Sequence, residues 1–179
     1  MKSFKTRIAL IIVILALFKF FYSKTEEVEI NPNDVEVLSL NIYHEARGLR
    51  PPANSNDKKE YGWRTVTAVV FNRLEDRRFP KTIEAIVYQQ SKSSGKYLFS
   101  WVDDNLPNEP KDRKLYREIY GEAYQYLLEY KKGVWDDPTF GAHSYHAKTI
   151  KPNAYFKKLV PTVSVQTLTQ GQIFYKDRA

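Results

Sequence analysis

The sequence predicts an α+β domain, mainly helical with a small late antiparallel sheet, behind an N-terminal signal-anchor helix. Three observations carry this. Apolar residues recur at helical spacing in three long segments before Gly133. Strand-like patterns, rich in β-branched and aromatic residues, appear only after Ala142. Residues 1–24 are basic, then apolar, and hold no acid.

The N-terminus comes first in chain order. Met1–Arg7 is positive, and Ile8–Phe18 is an unbroken apolar run that Phe20–Tyr22 extends past Lys19. This is the n-region and h-region of an export signal. The run is shorter than the roughly 20 residues of an ordinary spanning helix, but Lys19 can snorkel to the interface. A cleavage site would need Phe21 at its −3 position, where Phe is too large. The expectation is an uncleaved signal-anchor over 1–24, holding an extracytoplasmic domain at the inner (cytoplasmic) membrane through residues 8–22; cleavage would instead secrete it. Residues 25–33 read as a tether and 34–179 as one domain.

Within that domain, Asn33 or Asp34 caps a helix to about Arg47, with Gly48 as its stop. Val35, Leu38, Ile42 and Ala46 form its apolar stripe, and Glu45 sits at the margin of that stripe. Residues 50–61 read as a surface loop. A second helix spans 61–76, with Trp63, Val66, Val69, Val70 and Leu74 inward. Thr82 caps a short helix ending near Gln90, and 91–110 is irregular. A third long helix runs from about Asp112 to Lys132, stopped by Gly133, with Leu115, Ile119, Ala123, Leu127 and Tyr130 as its stripe. His143–Ala147, Leu159–Leu168 and Ile173–Tyr175 are strand-like, with a turn at Gln170-Gly171.

Composition narrows the chemistry. With no cysteine, disulfides, thiolate metal sites and a Cys nucleophile are excluded. Five of the 28 basic residues lie in 1–24, so the net charge of +7 falls to +2 over the rest. A nucleic-acid groove needs its basic stripe in the folded part, so no nucleic-acid partner is expected. The 13 Tyr, 10 Phe and 3 Trp suit both core packing and stacking on sugars.

Tyr43-His44-Glu45-Ala46-Arg47-Gly48 resembles a block of the SleB-type cell-wall hydrolases, the family of the spore cortex-lytic enzymes. The resemblance recurs in order at Val69-Val70-Phe71-Asn72-Arg73, at Arg78-Phe79-Pro80 with Ile86-Val87-Tyr88-Gln89, and at Phe99-Ser100-Trp101. It closes with Asp137-Pro138-Thr139, Gly141-Ala142 and Tyr145-His146-Ala147. Each block is weak alone; together, in this order, they cover about residues 38–175. The resemblance implies a lysozyme-like fold and cleavage of peptidoglycan between N-acetylmuramic acid and N-acetylglucosamine, by lytic transglycosylase chemistry with Glu45 as the acid. One departure concerns the family's E-G-Q, which here reads Tyr61-Gly62-Trp63 with Glu60 one residue away. The cell-wall-binding repeats of some members are absent.

Glycosidic cleavage needs a proton donor at the leaving oxygen, and Glu45 at an apolar margin meets that need. Its bland alternative is a surface Glu paired with Arg47. Ordinary glycosidases use two carboxylates. Glu60 is the nearest candidate for a second, while Asp103, Asp104, Asp136 and Asp137 lie in loops and read as solvated. A single acid suffices if the substrate's C6 hydroxyl is the nucleophile. Tyr145 and His146 are expected to line the cleft or support Glu45, though strand alternation allows only alternate residues to face it. Asn72, Gln89 and Ser100 are candidate polar contacts and Trp101 a stacking platform. Arg73 reads as a solvated or paired surface residue. No cofactor or metal is expected. Two rivals remain: a metal-dependent peptidase or amidase using His143 and His146, which form H-x-x-H, and a non-catalytic wall-binding protein.

Overall fold

The computed structural model describes residues 28–46, 62–103, 109–148, 150–163 and 171–178. The signal-anchor segment 1–24, Glu60, Asp104 and the second half of the strand expected over 159–168 lie outside these residues. Among the described residues, no helix is long and apolar enough to cross a membrane.

Among the described residues, five helices precede three short strands. They are α1 (Pro32–Ala46), α2 (Gly62–Glu75), α3 (Ile83–Val87), α4 (Ser100–Asp103) and α5 (Arg113–Lys131), then β1 (Ser144–Ala147), β2 (Val160–Pro161) and β3 (Gln172–Lys176). The sheet is antiparallel in the order β1-β3-β2, with Tyr145 opposite Phe174 and His146 opposite Ile173. This is a mixed helical fold with a small late sheet, as the periodicities require.

Helix α1 begins ahead of its expected caps, Asn33 and Asp34. The Asn31 side chain accepts from Asn33 N at 3.0 Å, and Pro32, whose missing N–H costs nothing at a first helical position, opens the helix. Ile30 packs on the core and Lys131 Nζ donates to Glu29 O at 2.8 Å. The folded unit therefore takes in the end of the segment read as tether.

Helix α1 is the central element. Val35, Leu38, Ile42 and Ala46 are buried as their spacing requires, but so are Val37, Leu40 and Tyr43, because α2, α3 and α5 all pack against it. Thr82 and Asp112 cap α3 and α5 through side-chain acceptors. Gly133 ends α5 with φ +69°, a left-handed conformation that a side chain would strain. Helix α4 was not expected: four residues inside a polar stretch show no period.

The loop between α5 and β1 is built around one carboxylate. Asp137 accepts from Thr139 N (2.7 Å), Thr139 Oγ1 (2.6 Å), Gly141 N (2.6 Å) and Asn72 Nδ2 (3.0 Å). These bonds hold Phe140 at φ +55°, strained for a residue with a side chain. Asp137 is thus engaged rather than solvated. Asn72 also donates to Thr139 Oγ1 and Ala142 O. It ties α2 to the strand region and leaves no free amide donor for a substrate.

Candidate active site

A cavity of about 480 Å³ opens between the C-terminal end of α1, Arg73 of α2, the residues around α4, and β1 with the segment after it. That volume is within the usual range for ligand pockets. Its lining includes Glu45, Arg73, Ser100, Ser144, Tyr145, His146 and Gln172, with Phe79, Leu98, Ile150, Tyr155 and Phe156 as its apolar part.

Glu45 lies in the last turn of α1, half-buried. Carbonyls in that turn lack intrahelical partners. Here Trp63 Nε1 donates to Ala46 O at 3.0 Å and Gln172 Nε2 donates to Glu45 O at 3.4 Å. The backbone under the acid is therefore fixed from α2 and from β3. Its side chain is fixed from β1, where the Tyr145 hydroxyl donates to Glu45 Oε2 at 2.8 Å. Burial, then the Glu45 charge, push the Tyr145 phenol well above its ordinary pKa. It stays a neutral donor across the whole working range.

Among the described residues, Glu45 is the one carboxylate lining this cavity. Asp103 Oδ2 accepts from Tyr97 N at 3.0 Å, away from it.

Both Tyr145 and His146 border the cavity, as do Ser144 and Ala147. Strand alternation argued against this. It happens because β1 is the edge strand, so the cavity wraps its open side. His146 Nδ1–H donates to Ala147 O at 2.8 Å, which leaves Nε2 to accept from the Tyr175 hydroxyl at 2.9 Å. His143 instead stacks on Phe79 and sits 3.4 Å from Asp76 Oδ2. The two imidazoles have separate surroundings and separate partners, which argues against the shared metal of the H-x-x-H reading.

Four residues are corrected by position. Trp101 is 3% exposed. It donates through Nε1 to Asn41 Oδ1 at 3.0 Å and stacks on His44 at 4.6 Å. It is core, not a sugar platform. Gln89 and Asn72 do not border the cavity. Arg73, read as a surface residue, is 5% exposed. Its Nε donates to His143 O at 2.8 Å, and its guanidinium lies over the Phe99 ring at 4.9 Å. Burial lowers the Arg73 pKa, while Tyr145, Tyr155 and Glu45 oppose that shift.

Sequence reasoning missed Arg73, Ser144 and Tyr155. Tyr155 is 53% exposed, with its hydroxyl 3.0 Å from Ser144 Oγ. The one available signal was a tyrosine beside Phe156 in a polar loop, the arrangement of an exposed stacking face.

The profile of the family described as Cell Wall Hydrolase matches residues 57–175. The match begins after α1, so it does not include Glu45. No curated protein sequence matches. Among solved structures, the chain is similar to the catalytic domain of the Bacillus cereus SleB protein. The TM-score is 0.52 at 20% identity, covering 83% of this chain and 93% of that one. It is also similar to the catalytic domain of the germination-specific lytic transglycosylase SleB from Bacillus anthracis, with TM-score 0.52 at 18% identity, covering 86% and 100%. At such identities the likeness concerns the fold. The family profile spans well over half of the residues, and the chain belongs to the cell wall hydrolase family.

Proposed function

We propose that the domain, lysozyme-like in arrangement, cleaves peptidoglycan glycan strands between N-acetylmuramic acid and N-acetylglucosamine as a lytic transglycosylase, with Glu45 as its acid and base. The observation that carries this is Glu45, the one carboxylate among the described residues that lines the cavity, held by the Tyr145 hydroxyl at 2.8 Å. Family membership makes the cell wall the substrate, and one structural relative, from Bacillus anthracis, is a lytic transglycosylase.

Glu45 protonates the glycosidic oxygen as the bond to C1 of muramic acid breaks. The carboxylate so formed takes the proton of the C6 hydroxyl, whose oxygen closes onto C1. The product is a 1,6-anhydro sugar; no water is consumed and Glu45 recovers its proton. Retaining hydrolysis needs a second carboxylate about 5 Å away, and inverting hydrolysis one about 6.5–9.5 Å away. Intramolecular attack needs neither, and the tethered hydroxyl has a high effective concentration. Exposed Ile150 and Tyr155 at the rim offer apolar faces to sugar rings.

Mass spectrometry of digested, purified walls tests the chemistry, because anhydro products are one water lighter than hydrolysed ones. Reducing muramic acid ends alone would make the enzyme a hydrolase and direct attention to Glu60. Glu45→Gln should cost on the order of 10²–10⁴-fold in rate with the fold kept; activity within threefold of wild type refutes the assignment.

We read residues 1–24 as a membrane anchor, 25–33 as its tether, the end of which packs on the fold, and 34–179 as the catalytic domain. The apolar run 8–18 supports the first of these. A native mature chain beginning near Thr25 would refute retention of the anchor.

A further inference from the structure

The charge of the chain is unevenly placed. Residues 142–179 carry six Lys or Arg and one acid, Asp177, whereas residues 25–141 carry 17 bases and 20 acids. The basic excess belongs to the sheet region, and part of it borders the cavity that holds Glu45. Ala147, Ile150 and Phe156 line that cavity, and the residues that follow them in sequence are Lys148, Lys151 and Lys157. All three lysines are exposed. None has an ion-pair partner among the described residues, and Asp177 is engaged by Arg78 at 2.7 Å. Like charges gathered on one side of a cleft attract an anion to it.

The segment that holds them is fixed. Asn153 Oδ1 accepts from Tyr155 N at 2.9 Å and from Phe156 N at 3.2 Å. The Tyr155 hydroxyl lies 3.0 Å from Ser144 Oγ. The Phe156 ring packs on His146 at 4.6 Å and on Tyr175 at 5.2 Å. The lysines therefore start from a set backbone at one side of the cavity mouth, on the same segment as Ile150 and Tyr155.

A sugar strand is neutral and has no use for this charge. The anions of peptidoglycan are the free carboxylates of its peptide stems. Each stem leaves muramic acid through the lactyl group on C3, two carbons from the C1 at which Glu45 acts. A muramic acid seated for cleavage thus sends its stem out past the rim. Glu45 donates as a neutral carboxyl, so the acid does not repel a stem anion.

We propose that Lys148, Lys151 and Lys157 form a rim that binds the carboxylates of the stem on the muramic acid being cleaved, and so select glycan with anionic stems. This rests on the reading of Glu45 as the glycan-cleaving acid.

The test changes the charge of the stem and leaves the glycan alone. Purified walls are treated with hydrofluoric acid to remove phosphate polymers, and their free amines are acetylated. Half is then amidated at its carboxylates with a carbodiimide and ammonia. Full-length wild type, the rim variant Lys148→Gln/Lys151→Gln/Lys157→Gln and the control Lys111→Gln/Lys114→Gln/Lys132→Gln are assayed on both walls, counting new glycan ends. The control removes the same charge at the two ends of α5, away from the cavity lining. Wild type should favour the carboxylate wall by about 3- to 100-fold in kcat/KM, the effect of up to three exposed ion pairs, and about 0.5 M salt should remove most of that preference. The rim variant should show a preference below about twofold, and the control that of wild type. The ratio on two walls cancels any loss of folded protein. A rim variant that keeps the wild-type preference overturns the inference, as does a preference that salt leaves unchanged. A control that loses as much as the rim variant also overturns it and assigns the effect to bulk charge. Equal wild-type rates on the two walls, or a faster rate on the amidated wall, overturn it alone and leave the role of Glu45 standing. No new glycan ends with wild type on untreated walls overturns both.

Discussion

Removing the Tyr145 hydroxyl isolates the contact that orients the acid. Tyr145→Phe keeps the ring, which packs against Phe174 at 5.3 Å and Phe99 at 6.4 Å, and deletes only the donor to Glu45 Oε2 at 2.8 Å. A hydrogen bond to a charged group contributes about 1.5–3 kcal/mol. If that energy holds the carboxyl in its reactive orientation, its loss lowers the rate by roughly 10- to 150-fold. Folding should change little, since the ring keeps its apolar contacts and only one hydrogen bond is lost. The assay is kcat/KM on purified walls, with thermal unfolding measured in parallel. A double-mutant cycle sharpens the result. In a Glu45→Gln background the acid is already gone, so Tyr145→Phe should cost less than about threefold. A Tyr145→Phe enzyme within twofold of wild type would refute the orienting role. Equal losses in both backgrounds would show that the hydroxyl acts elsewhere.

Trp101→Phe should destabilise the domain by about 2–4 kcal/mol, through a vacated volume and an unmet Asn41 oxygen, while KM on folded protein stays within twofold; a raised KM with unchanged stability would restore Trp101 to the cleft. Acid stability should depend on the Asp76 cluster. Hydrogen bonds from Arg78 hold the Asp76 carboxyl well below the usual range, so its contribution is full above about pH 4 and is lost as pH falls further. Asp76→Asn should cost on the order of 0.5–1 kcal/mol at pH 7, after allowing for solvent screening. The gap in urea midpoints should shrink steadily as pH falls from about 4 towards 2; a gap that stays constant over that range would show that charge is not the cause. Burial lowers the His143 pKa against the opposing pull of Asp76. Its neutral form therefore stabilises the fold above about pH 6.5, and that support is lost as pH falls below it.

The helical half of the fold was legible because local rules and tertiary packing agree there. The stripes of α1, α2 and α5, the Thr82 and Asp112 caps and the Gly133 stop all appear where spacing and side-chain chemistry put them. Helix α1 shows the limit of the method. Periodicity identifies one buried face, but neighbours on several sides bury Val37, Leu40 and Tyr43 as well. Helix α4 is too short to carry a period, and it exists because Trp101 anchors it to Asn41 of α1. That contact joins residues 60 apart in sequence, and no local window contains it.

The site was legible where chemistry is local and illegible where geometry is global. Glu45 and Tyr145 were singled out separately, and the fold brings them to 2.8 Å. Trp101 and Arg73 were both assigned to the wrong environment for one reason: residue type stood in for position. An aromatic in a polar stretch reads as exposed, and an arginine near the end of a helix reads as solvated. In the folded chain the first faces α1. The second is covered where β1 and the loop before it cross α2, so that its Nε meets the His143 carbonyl. The same crossing explains why Asn72 fails as a substrate contact while its neighbour Arg73 reaches the cavity. Adjacent helical positions lie about 100° apart, so one side chain turns to the Asp137 loop and the other to Glu45.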